Sequence, residues 1–201
     1  MPTYLRCGFC ALVLPILLVP DAWPIERKKK KASGPIFGSR TPIPGALRGR
    51  FYRLFKSTSV LPDFSRPRPS GFLYTTTLNY PLQPVGDEWF GIGYEGMFHV
   101  TKPGNFRFQL TSDDGAQVII DGKRIINNDG IHGAETEDGF IRLDAGAHQI
   151  RAPYFQGPQP YVALILEVQA PGGKMRIFDT DDFRPLPVAL PPEDRPILKR
   201  K

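Results

Sequence analysis

Along the middle of the chain apolar and polar residues alternate with a period of two. Phe106, Phe108 and Leu110 interleave with Asn105, Arg107 and Gln109, the pattern of a strand with one face in a core and the other in water. The same reading predicts strands over 92–100 (IGYEGMFHV), 116–121 (AQVIID), 139–143 (GFIRL), 148–155 (HQIRAPYF) and 174–178 (KMRIF). Segment 161–168, YVALILEV, is apolar on both faces apart from Glu167, which predicts a central strand. TKPG at 101–104 reads as a hairpin turn, with Pro and Gly where such a turn needs them. Asp121-Gly122 reads as another, joining QVIID to KRII, because both residues tolerate positive φ. No segment carries a capped 3.6-residue period, so helix is a minor component. About eight short strands with regularly spaced turn signals predict an all-β, antiparallel two-sheet sandwich. The long irregular stretches 56–70 and 79–90 are expected to pack over its ends.

Composition adds the tails. Apolar residues make up 41% of the 201 and charged residues 23%, enough to bury a core. Pro and Gly crowd 32–49, 61–71 and 184–196, which divides the chain into four parts. Residues 1–22 form an apolar segment, 23–44 a basic Pro/Gly-rich linker, 45–183 the sandwich and 184–201 a Pro-rich basic tail. CGFCALVLPILLVP, following Arg6, is too short to span a membrane comfortably and reads as a signal peptide or short apolar anchor. That predicts an extracytoplasmic protein, whether secreted, periplasmic or at the cell surface. Cys7 and Cys10 both lie in this segment, so the sandwich must be held by packing and not by disulfides. The net charge of +6 also belongs to the ends. Between Phe51 and Phe183, 12 Lys and Arg stand against 16 Asp and Glu, a local balance of −4. Basic arms on a mildly acidic body suit contact with an anionic surface. A specific nucleic-acid-binding fold is excluded, because no basic face carries aromatic stacking positions.

Three stretches in order carry a family resemblance: LRGRFYRLF; EWFGIGYEGMFHVTKPGNFRFQLTSDDGAQVIIDGKRII; and GFIRLDAGAHQIRAPYFQGPQPYVALILEV. An aromatic strand, a Pro-Gly turn and a second aromatic strand lead to Ser-Asp-Asp-Gly and a strand ending in Asp-Gly. A Leu-x-Ala-Gly-x-His turn and a Tyr-Phe-bearing strand follow. From about Ala46 to Phe178 this order resembles the anthrax-protective-antigen-type (PA fourteen) β-sandwich domain, found in adhesins, toxins and secreted glycosidases. The resemblance implies a sandwich without catalytic machinery of its own. In the sugar-binding branch of the family, such as the yeast flocculin adhesins, two adjacent aspartates joined by a cis peptide coordinate Ca²⁺, and the ion bridges to sugar hydroxyls. Asp113 and Asp114 match those positions.

Two readings of Asp113-Asp114-Gly115 stay open on the sequence. As half of a metal site, two carboxylates supply the charged part of the oxygen shell that Ca²⁺ requires. As a turn, Asp114-Gly115 is another short hairpin and Asp113 caps backbone amides. The second loop of the sugar-binding branch supplies an Asn or Asp, whereas YFQGPQPYV here offers only Gln156, Gln159 and main-chain oxygens. A further group of oxygen donors, NNDGIHGAETEDG at 127–139, puts Asp129 and His132 on the same expected rim, and Trp89 is placed to stack on a sugar there. His99, His132 and His148 share no metal-ligand spacing. Enzymatic function is not expected. Adjacent aspartates cannot flank a glycosidic bond, and only a pairing of Glu95 with Glu167 by the fold would supply opposed carboxylates. The sequence predicts a non-catalytic module binding a glycan or polysaccharide through its loop rim, with Ca²⁺ as candidate cofactor. The alternative is a metal-free structural module binding another envelope protein.

Overall fold

The computed structural model describes residues 37–84, 88–158 and 161–184. The apolar segment 1–22, most of the basic linker, Gln159 and the tail from 185 lie outside the described residues. Among the described residues there are eleven strands: β1 (Leu47–Arg53), β2 (Gly71–Thr75), β3 (Asn79–Pro84), β4 (Phe90–Val100), β5 (Gly104–Asp113), β6 (Ala116–Ile120), β7 (Lys123–Asn128), β8 (Glu135–Leu143), β9 (Gly146–Gln156), β10 (Tyr161–Gln169) and β11 (Arg176–Ile177). One antiparallel sheet runs β2-β1-β4-β9-β6-β7. The other runs β11-β10-β5-β8, with β3 pairing the remaining length of β10. No helix among the described residues is long and apolar enough to cross a membrane.

The period-two pattern places the core between the sheets. Ile92, Tyr94 and Phe98 of β4 and Ile150, Ala152 and Tyr154 of β9 face Phe106, Phe108 and Leu110 of β5 and Leu164 and Leu166 of β10, all buried. Each large apolar side chain taken out of water contributes about 1.5–3 kcal/mol, and the described domain is held this way without cysteine. The core extends beyond the strands at both ends. Phe37 packs edge-on against Tyr80 and Phe90, at 5.1 and 5.4 Å between ring centroids, and its carbonyl accepts the Tyr94 hydroxyl at 2.8 Å. Residues assigned by sequence to the linker therefore belong to the packed body. At the other end, Phe178 stacks on Phe183 at 5.5 Å, and both rings meet Phe98.

One sequence expectation about connections is corrected, and one of the open readings of a turn is overturned. TKPG does not close a hairpin, because β4 lies in the six-stranded sheet and β5 in the other. Asp114-Gly115 is likewise a corner between sheets, from β5 to β6. Asp121-Gly122 is the hairpin expected: β6 pairs β7, and the two turn residues have φ of 49° and 79°. Pro and Gly favour a reversal of the chain but do not specify which sheet receives it.

The stretches expected as end loops also differ. Residues 79–84 form β3, which pairs only with β10 and so tolerates Pro81 and Pro84 as an edge strand. The 56–70 loop crosses the outer face of the six-stranded sheet. Its Phe64 ring stacks on Tyr52 at 4.7 Å and lies over Gly91, where a Cβ would stand 2.5 Å from Phe64 Cζ.

Candidate functional site

The acidic corner is built where β5 leaves one sheet and β6 enters the other. Because inward and outward residues alternate to the end of β5, Ser112, Asp113 and Asp114 arrive at a place already walled by β9 and the β7–β8 connection. Asp113 and Asp114 are both buried, at 4% and 0% exposure, and the peptide between them is cis. Gly115 is required by close approach. A Cβ there would stand 2.4 Å from Phe155 Cε1 and 2.8 Å from Gly130 N.

Asp114 is fully engaged by main-chain donors. Its Oδ1 accepts the His132 N–H at 3.0 Å and its Oδ2 the Gly157 N–H at 2.7 Å. Asp113 is held from behind, since the Tyr154 hydroxyl lies 2.7 Å from its carbonyl oxygen and 2.6 Å from Gln156 Oε1. The Asp113 carboxylate is different. Its Oδ1 is buried and has no hydrogen-bond partner. Burial first, then the charge of Asp114, holds the Asp113 carboxyl above the ordinary carboxylate range, against a smaller opposing effect of His132. Burial also raises Asp114, although the Gly157 and His132 N–H bonds pull it back. The Tyr154 phenol is pushed well up by burial and by both carboxylates. Two acids whose charged forms are disfavoured by burial therefore meet at this corner, one of them with a buried oxygen that no donor answers.

The other expected site residues are distributed unevenly. His132 lies at the corner through its main chain, while its ring nitrogens meet the carbonyls of Gly133 and Asn128 at 2.7 and 3.2 Å. Trp89 lies on the same rim. It has φ of 57°, donates its N–H to the Gly157 carbonyl at 3.4 Å and accepts the Leu54 N–H at 2.7 Å. Gln156 is fully buried, bonded to Tyr154 and, through Nε2, to the Tyr161 carbonyl at 2.8 Å. It is placed as a brace between Tyr154 and the start of β10. Asp129 turns away from the corner and accepts the Leu61 N–H at 2.7 Å, fastening the 56–70 loop.

The 127–139 cluster is dispersed by strand alternation. Asn127 accepts from Gln117 on the surface, Asn128 is buried against Ser112 Oγ at 2.9 Å, and Asp138 pairs with Arg107 on the outer face of the five-stranded sheet. Glu95 and Glu167 belong to different sheets and point to opposite outer faces, so the fold does not oppose them. Among the described residues no group of three or more His, Cys, Asp or Glu is gathered as a metal site. The residues that sequence reasoning missed are the main-chain donors of His132 and Gly157 and the Tyr154 hydroxyl. Only Tyr154, in the Tyr-Phe strand, carried a signal.

Comparison with known proteins agrees with this architecture. The PA14 domain of the MpAFP antifreeze protein superposes with a TM-score of 0.59 at 18% identity, over 70% of this chain and 92% of that one. The PA14 sugar-binding domain from an RTX adhesin gives 0.57 at 16% identity, over 68% and 96%. The epithelial adhesin 9 A domain of Candida glabrata, solved in complex with Galβ1-3GlcNAc, gives 0.52 at 10% identity, over 75% and 95%. At these identities the likeness is one of fold. Comparison with curated protein sequences gives no match. Residues 78–182 match the family model of the PA14 domain, and the chain belongs to that family.

Proposed function

We propose that this domain is an exported, non-catalytic carbohydrate-binding module whose ligand rim is the corner at Asp113 and Asp114, with Ca²⁺ held by the two carboxylates. The observation that carries the reading is the buried, unpartnered Oδ1 of Asp113 beside a second buried carboxylate. A hard cation that takes oxygen ligands fits this donor set. Ca²⁺ accepts main-chain and water oxygens along with carboxylates, so a cluster of acidic side chains is not needed to complete its shell. When bound it supplies positive charge between the aspartates and coordination for sugar hydroxyls.

The chain's own residues do the remaining work. The His132 and Gly157 N–H groups fix the plane of the Asp114 carboxylate. Tyr154 holds the Asp113 main chain, and Gln156 ties that hydroxyl to the start of β10. Trp89 and the exposed Ile131 give the rim apolar surface against which a sugar ring can lie. Sugar-binding adhesin domains among the structural neighbours support the substrate class.

The test is a glycan array probed with the full chain in Ca²⁺ and in chelator, beside an Asp113→Asn, Asp114→Asn double variant. Glycan binding that needs Ca²⁺ and is lost in the variant is the expected result. Binding unchanged by chelator and by the substitutions would remove the corner from the ligand site. An array silent in both conditions would favour a metal-free protein-interaction module.

A further inference from the structure

A second concave site lies away from the aspartate corner, on the outer face of the six-stranded sheet. The 62–65 segment roofs this face, and Phe64 fills only part of the trough left by Gly91 and Gly93. Beside it remains a half-open cavity of about 330 Å³, at the lower end of the range for small-molecule sites. Pro62, Phe64, Ile119 and Pro153 give it apolar walls, while Arg50, Glu95 and Arg151 stand at one end.

Strand register explains why the charges meet. Glu95 of β4 is the cross-strand partner of Arg151 of β9, and Arg50 of β1 sits opposite Gly93, one step diagonally from Glu95. Arg50 reaches across the bare glycine and bonds the Glu95 carboxylate, which neutralises it. The guanidinium of Arg151, on the other side of Glu95, makes no ion pair or hydrogen bond among the described residues. Asp63, the remaining acid of the lining, is already engaged: its Oδ1 accepts the Ser65 N–H at 2.9 Å and its Oδ2 lies 3.4 Å from Arg66 Nε. The cavity therefore holds one uncompensated guanidinium at the end of an apolar slot.

We propose that this cavity is a ligand site for a small organic carboxylate with a single-ring body, bound through Arg151. A guanidinium presents a planar fork that matches a carboxylate with two parallel N–H···O bonds. The proline, phenylalanine and isoleucine walls receive the ring. The shared chemistry is the carboxylate; the body comes from a sugar acid or an aromatic acid.

The full chain is titrated in chelator with glucuronate, benzoate, glucose and benzamide, followed by calorimetry and by amide shifts in ¹⁵N spectra. One of the two acids binds and its neutral counterpart does not, with shifts at Ser65, Gly93 and Glu95; which acid binds identifies the body. Arg151→Gln weakens binding about tenfold or more, as loss of a charge-assisted pair predicts, and Arg151→Lys restores part of it. Arg151 is solvent-exposed, so neither substitution disturbs the core. Absence of binding by both acids at millimolar concentration overturns the proposal, as does an Arg151→Gln variant that binds like wild type. Loss of binding in the Asp113→Asn, Asp114→Asn variant with Arg151 intact would assign the acid to the other corner and overturn it too.

Discussion

Replacing Asp113 by Asn separates charge from shape at the corner. Two carboxylates roughly 5–8 Å apart in an effective dielectric of about 20 repel by about 2–3 kcal/mol. Burial disfavours both ionised forms further. Asn keeps the volume and removes one charge. An amide hydrogen left unbonded costs about 1–3 kcal/mol in return, so the expected net gain in chelator is about 1 kcal/mol. For a domain of this size that raises Tm by about 2–4 °C. In Ca²⁺ the order inverts. Wild type gains about 2.7 kcal/mol at a hundredfold excess over Kd, and the variant lacks half of the carboxylate pair. Differential scanning calorimetry in chelator and in Ca²⁺ at neutral pH reads both signs.

Acid gives an independent check on the same variant. Both carboxyls are raised from the ordinary 3.8, so their destabilisation is absent below that value. It grows as pH rises from 3.8 through the raised values and is complete above them. The advantage of Asp113→Asn in chelator therefore shrinks on acidification, and wild-type Ca²⁺ affinity falls over the same window. A variant less stable than wild type in chelator at neutral pH would refute the repulsion argument. A wild type whose melting ignores Ca²⁺ would refute the cation.

Three further substitutions probe the frame of the site. Tyr154→Phe removes the hydroxyl that meets the Asp113 carbonyl and Gln156, and is expected to cost about 1–3 kcal/mol in urea unfolding. Gly115→Ala forces a methyl against Phe155 and the Gly130 main chain, and should lower stability by about 1–3 kcal/mol or more in the same assay. At the opposite end, burial pulls the His148 pKa down, but bonds to Asp121 and the Asp144 carbonyl outweigh it and leave the value above 6.5. That pair adds stability below the unfolded value, which is lost as pH rises through the folded one. Asp121→Asn, which keeps a residue tolerant of the left-handed turn, lowers the His148 pKa in an NMR titration and flattens stability across this window.

The fold was legible where one face of a strand is wet and the other dry. Alternation in 105–110 and the apolar run of 161–168, broken only by Glu167, locate β5 and β10 because burial on one or both faces leaves different periodicities. β3 was hidden because Pro81 and Pro84 argue against a strand, and only pairing on an edge makes them admissible. Phe37 was hidden for another reason. A single aromatic among linker residues has no period, and its burial comes from Tyr80 and Phe90, distant in the chain. The inter-sheet corner at 101–104 was misread as a hairpin, and a hairpin stayed open as one reading of 114–115, because turn chemistry is local, whereas the receiving sheet is set by packing.

The candidate site shows the same division between side-chain chemistry and main-chain placement. Asp113 and Asp114 could be read as a pair because carboxylates are visible in a sequence. What holds them could not be, since the donors to Asp114 are the N–H groups of His132 and Gly157, and any residue type carries such a group. The lack of Asn or Asp in the sequence 156–160 therefore does not detach the segment after β9 from the corner. It contributes Gly157 N–H, and a side chain at Gly157 would bring a Cβ within 3.2 Å of Asp114 Oδ2, so the segment serves this carboxylate by being small. Asp129, by contrast, is acidic and nearby in sequence, yet just past the end of β7 it turns to the Leu61 N–H and the loop over the outer sheet. Residue type made the two aspartates legible, while the β5–β6 crossing and two main-chain donors set which of their oxygens has no partner.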